Sequence, residues 1–200
     1  MATRGRPREF DVDEALDRAI EVFWRQGYNG TSLSDLTEAM GVSRPSLYAA
    51  FGNKEETFKR AVNRYAEIDM AYVTDALAES TAFDVARRFL VDNVEAVTTP
   101  GRPPGCLSIQ GGLAAGPEDA EIVRFLNDRR SGGEARMTER FARAQADGDL
   151  PSDEDPAELA RYLNTVSAGL AVQASAGASR AALRLVAERA LRSFPGAPPA

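Results

Sequence analysis

Between Thr31 and Phe51 the sequence TSLSDLTEAMGVSRPSLYAAF sets hydroxyls, a guanidinium and a phenol along two short segments. Thr31 and Ser32 open the first segment, Ser43, Arg44, Pro45, Ser46 and Tyr48 lie in the second, and Lys54 follows just beyond. Their chemistry suits the surface of duplex DNA. Binding a duplex takes two separate functions, fixing register on the phosphates and presenting side chains to base edges. Thr31, Ser32, Tyr48 and Lys54 match the first, as short or rigid donors at helix starts plus one cation. Arg44 matches the second, because a guanidinium engages guanine O6 and N7 together, a contact worth roughly 1–3 kcal/mol of discrimination. Ser43, Pro45 and Ser46 either read through hydroxyl and methylene contacts or cap and shape the helix.

The elements that must position these groups follow from spacing. Ser32 caps a first helix with Asp35 at the box position, and Leu33, Leu36, Ala39 and Met40 fall on one face before Gly41 stops it. Ser43 caps a second helix with Pro45 in its first turn and Leu47 and Phe51 as its buried stripe. Two short helices around so tight a turn are a helix-turn-helix, whose second helix enters the major groove. A preceding helix, near Asp11 to Gln26, supplies the core through Val12, Ala15, Leu16, Ala19, Ile20, Phe23 and Trp24, and Gly27 ends it. Arg4 and Arg6 sit in a basic arm over residues 1–9 that either reaches a minor groove or touches nothing.

Thr31, Leu36, Gly41-Val42-Ser43, Leu47-Tyr48, Phe51 and Asn53-Lys54-Glu55 together resemble the DNA-binding signature of the TetR (tetracycline repressor)/AcrR family of bacterial transcription regulators. The resemblance runs from about Phe10 to Phe58. It implies an all-α chain with a three-helix DNA-binding domain over residues 1–55, joined by a long helix to a helical effector-binding and dimerisation domain over 56–195. It also implies a homodimer on a palindromic operator, formed through the last two helices, and release of the DNA by a small apolar effector.

Composition excludes several rival chemistries. The chain has no histidine, so no Ser-His-Asp or Cys-His arrangement and no histidine-ligated metal can form. Its two lysines, Lys54 and Lys59, both flank the helix-turn-helix, which leaves little room for a Schiff-base enzyme. No cofactor, metal or enzymatic activity is expected. Net charge is −6, but residues 1–64 balance and the acidity lies beyond them, so the whole-chain value says little about the field at a DNA surface. Cys106 stands alone, which excludes an internal disulfide and predicts a reducing cytoplasm. No secretory h-region follows the basic start, and the uncharged run Tyr162 to Ser179 is too polar to cross a membrane.

Asn53 with Glu56 opens a helix whose apolar stripe, Phe58 through Tyr65, Tyr72 and Leu77, runs for more than six turns. Further helices are expected over Thr81–Thr98, from Pro117 onward with Gly132-Gly133 as a kink or division, over Pro156–Ala176 and over Ser179–Phe194. Tyr72, Phe89, Cys106, Phe125, Phe141 and Tyr162 are candidates for an effector pocket, with plain core as the other reading of each. Leu163, Ser167, Leu170, Ala174, Leu183, Val186 and Ala190 are the expected dimer interface, the small residues allowing close helix approach. Three alternatives stay open: a helix-turn-helix that contacts protein instead of DNA, a thiol sensor acting through Cys106, and a carboxylate enzyme using Glu118, Asp119 and Glu121.

Overall fold

The computed structural model describes residues 10–112 and 116–197, and among them there is no β-strand. The helices are α1 Val12–Gly30, α2 Leu33–Met40, α3 Arg44–Phe51, α4 Lys54–Ile68, α5 Ala71–Leu77, α6 Ala82–Val97, α7 Leu107–Gln110, α8 Ala120–Ala146, α9 Pro156–Ser175 and α10 Arg180–Leu191. A 3-10 turn, Pro117–Asp119, leads into α8.

Side-chain caps account for most helix starts. Asp11 accepts from the amides of Asp13 and Glu14, Ser32 and Asp35 form a reciprocal box, and Asn53 and Glu56 form another. Thr81 and Ser179 cap α6 and α10 through Asp84 and Ala182 amides. Each such cap satisfies donors that the helix itself leaves orphaned. The α1 helix kinks at Gly27, whose φ of 71° an L side chain rarely adopts, and Gly41 at φ 69° makes the turn between α2 and α3.

The amino-terminal helices share one core: Phe23 meets Phe58 edge-on at 5.0 Å, Trp24 meets Tyr65 at 4.9 Å, and Leu36, Leu47 and Phe51 close it from α2 and α3. Beyond it, α6 packs against α5, α9 and α10, and α8 lies along α9. Arginines stitch these helices together by donating to carbonyls: Arg140, 8% exposed, to Glu79 and Ser80, and Arg180 to Thr98.

Two expectations are corrected. The long helix after Asn53 is broken at Asp69–Met70, where the amides of both residues converge on the Tyr65 carbonyl, at 2.8 and 3.3 Å, and the Asp69 carboxylate is held by Arg102. No glycine or proline marks that break. Conversely, Gly132 and Gly133 neither kink nor divide α8: Ala120–Ala146 runs through both as one helix, and a Cβ at either would meet nothing.

Candidate functional site

The reading head is built on the start and outer face of α3. Leu47 and Phe51 are buried, which turns the opposite face outward: Ser43, Arg44 and Pro45 are exposed, and Tyr48 is 49% exposed. The Ser43 hydroxyl oxygen accepts the Ser46 amide at 3.3 Å and pairs with the Ser46 hydroxyl at 2.8 Å, so these two shape the helix start. Arg44 donates to the Ser34 hydroxyl at 2.9 Å, tying α3 to α2 through a neutral partner. At the far end, the Arg60 guanidinium lies 5.1 Å from the Phe51 ring and donates to the Ala50 carbonyl, which anchors α3 on α4.

The expected phosphate contacts divide. Ser32 is exposed at the start of α2 while its oxygen caps Asp35. Lys54 lies at the first turn of α4, its Nζ 4.3 Å above the Tyr28 ring; partial burial pulls its pKa down, with Asp119 acting the other way. Thr31 is a correction: it is 2% exposed and its hydroxyl donates to the Gly27 carbonyl at 2.7 Å, so it pins the kink of α1 and has no proton free for a phosphate. Arg4 and Arg6 lie outside the described residues.

The six expected pocket residues do not share one site. Tyr72, Phe89 and Cys106 come together beside Tyr65 and Asn93: the Tyr72 and Phe89 rings are 6.3 Å apart, Asn93 donates to the Tyr72 hydroxyl at 2.9 Å, and Cys106 Sγ is 3.4 Å from the Tyr65 hydroxyl. Burial, first of all, pushes the Tyr65, Tyr72 and Cys106 groups above their ordinary pKa values. A thiol held protonated in this way is the reverse of a reactive thiolate. Phe125 is half-buried between the cations of Lys59 and Arg129. Phe141 and Tyr162 are corrections. Phe141 is packed on Phe194 at 5.5 Å, and Tyr162 lies on the surface with its hydroxyl 3.2 Å from that of Ser193. Asn93, beside this cluster, is not among the expected residues, although a polar residue inside the apolar stripe of α6 is a readable signal.

The expected interface residues on α9 and α10 are also redistributed. Leu163, Leu170, Ala174, Leu183 and Ala190 are buried in their own subunit, Ser167 is half-buried, and only Val186 stands clear, at 52% exposure. The apolar side chains that these helices do present are Tyr162, Val172, Leu185 and Val186. Runs of alanine and leucine on several faces hide which face is inward, because a small residue fits a core and a surface alike.

Residues 15–61 match the family model of bacterial regulatory proteins of the tetR family. The chain is 35% identical over 198 residues to the HTH-type transcriptional repressor ComR of Escherichia coli (strain K12), covering 96% of this chain and 93% of the relative. It is 37% identical over 162 residues to the HTH-type transcriptional regulator YezE of Bacillus subtilis (strain 168), covering 80% and 84%. Among solved structures, a cysteine mutant of the TetR family regulator CifR in complex with 26-bp operator DNA superposes with a TM-score of 0.90 at 42% identity, over 95% of this chain and all of that one.

Proposed function

From the premise that this chain belongs to the TetR family of DNA-binding transcriptional regulators, we propose that it is a homodimeric repressor that holds a palindromic operator through α2 and α3 and is released by a small apolar effector. The observation that carries the DNA reading is the outward face of α3, where Arg44 and Tyr48 stand clear of the core that Leu47 and Phe51 anchor. Arg44 reads a base edge, while Lys54, Ser32 and Tyr48 hold phosphates. One such helix buries too little surface for tight, specific binding, so two heads act together, about 34 Å apart along the duplex axis. The head comprises residues 1–55 and the effector and dimer domain 56–195.

The second copy docks on the exposed side of α9 and α10, where Tyr162, Val172, Leu185 and Val186 offer apolar surface. The effector sits near Tyr72, Phe89 and Cys106, and the protein works in the cytoplasm. No described helix is long and apolar enough to cross a membrane. Selection of bound fragments from random duplex DNA tests the reading. Enrichment of an inverted repeat with half-sites about one helical turn apart is expected; recovery of no sequence preference would reject it.

A further inference from the structure

Among the described residues, one buried side-chain atom has no hydrogen-bond partner: Oδ1 of Asn93, whose Nδ2 donates to the Tyr72 hydroxyl at 2.9 Å. Asn93 is 3% exposed and stands on the buried stripe of α6 with Phe89, Leu90, Val94 and Val97. An unpaired buried acceptor is unfavourable, and an apolar side chain here would avoid the penalty altogether. Turning the amide over does not cure it. The Tyr72 hydroxyl would then donate to Oδ1 and the Nδ2 protons would be stranded instead, since one phenol cannot complete both halves of an amide.

What is missing has a definite chemistry. Accepting from Nδ2 leaves the Tyr72 hydroxyl with its own proton to give, while Asn93 Oδ1 has lone pairs to offer. A hydroxyl group on a ligand completes both, accepting from Tyr72 and donating to Asn93. The neighbours of the pair are apolar: the Phe89 ring is buried and tilted 33° to that of Tyr72, and Leu90, Val94 and Val97 share the stripe of Asn93. Tyr72 itself is partly exposed, while the Asn93 amide is sealed. The burial that raises the Tyr72 pKa opposes an anionic ligand in the same place, and it opposes a cation as well.

Resting on the effector-responsive reading above, we propose that Asn93 and Tyr72 form the polar anchor of the effector site, and that the effector is a neutral molecule with an apolar or aromatic body and a hydroxyl group. The test compares benzyl alcohol, benzyl methyl ether and ethylbenzene on the full chain, by calorimetric titration and thermal shift. Benzyl alcohol should bind about five- to tenfold tighter than the ether, the loss expected when a buried polar pair goes unmatched. Asn93→Leu should shrink that ratio below about twofold, and Tyr72→Phe should shrink it in a protein whose ring packing is kept. Equal binding of alcohol and ether to the unmodified protein overturns the anchor while leaving an aromatic effector site standing. Binding of none of the three overturns the anchor too, and the effector-responsive reading then stands or falls on operator release in a compound screen. If Asn93→Leu does not fold, the unmodified protein and Tyr72→Phe decide the matter between them.

Discussion

The indole Nε1 of Trp24 donates to the side-chain oxygen of Gln110 at 3.2 Å, joining residues 86 positions apart. The same oxygen accepts the Cys106 amide at 2.9 Å, and the Gly111 carbonyl accepts the Tyr28 amide at 3.2 Å. The short α7 is therefore fastened to α1 of the reading head on one side and to the Tyr65–Cys106 cluster on the other. The Arg102 guanidinium adds to the same seam, 5.4 Å from the Trp24 ring while paired with Asp69 at the break between α4 and α5. Any change around Cys106 that shifts Gln110 must also be felt at Trp24.

Gln110→Leu should strand two donors in a largely buried site and cost about 1–3 kcal/mol. Gln110→Glu, which keeps the acceptor, should cost less. Urea unfolding of the two variants beside the parent measures this, and a loss below about 0.5 kcal/mol for the leucine variant would mean that the bridge holds nothing together.

How much of this was readable in the sequence varied with the physics behind each feature. Helix starts were legible because a cap is a local event: Ser32 with Asp35 and Asn53 with Glu56 pair as their spacing says. The outward face of α3 followed from Leu47 and Phe51 alone. The break after Ile68 was not legible, since no glycine or proline marks it and the Asp69 carboxylate there pairs with Arg102, 33 positions away. Thr31 misled because a hydroxyl at a helix start looks available until the kink at Gly27 offers it a carbonyl. Trp24 could be placed in the core from periodicity, but its Gln110 partner belongs to a segment too short to show any period.

Arg44 and Lys54 should fail in different ways. On the proposed reading Arg44→Ala removes the base reader and should cost roughly 1–3 kcal/mol on the preferred site while relaxing one symmetric position in it. Lys54→Ala should weaken preferred and random duplexes alike and flatten the salt dependence by about one counterion per head. Titrations on both duplexes at several salt concentrations separate the two. An Arg44→Ala protein with full selectivity would move the reader elsewhere on α3.

The pairing of Arg64 with Asp17 makes a pH-dependent contribution. Arg64 reaches Asp17 through two nitrogens, at 2.5 and 2.9 Å, and that hydrogen bonding is the first cause holding the Asp17 pKa below its ordinary value. A carboxyl depressed in the folded state stabilises the protein above its unfolded pKa, near 4, and loses that effect as pH falls through the folded value. Both side chains keep some solvent contact, so the contribution is held to about 0.5–1 kcal/mol. The stability gap between the parent and Arg64→Ala should thus be open at pH 7 and close below about pH 4. A gap that widens on acidification contradicts the assignment.

Cys106 should be a slow thiol. It is 6% exposed, burial raises its pKa, and its sulfur sits against the Tyr65 hydroxyl. Labelling by a disulfide reagent at pH 7.5 should proceed at least about a hundredfold slower than for a free thiol, whose thiolate fraction is already a few per cent there. Full reactivity should return in denaturant. Fast labelling of the native protein would revive a thiol-sensing role.

Leu185 and Val186, 66% and 52% exposed on α10, test the proposed dimer: Leu185 points away from the buried stripe of Leu183 and Ala187, and Val186 lies on its exposed flank. Replacing both by glutamate puts two charges where a partner helix would have to desolvate them, a penalty of several kcal/mol that a wet surface never meets. Light scattering should then report a folded monomer with an unchanged helical spectrum, and operator affinity should fall by orders of magnitude because a single head binds alone. The control is Leu183→Ala, which opens a cavity in a 2%-exposed position and should cost about 2–5 kcal/mol of unfolding free energy instead. A double glutamate variant that remains a dimer at micromolar concentration would place the interface on another face.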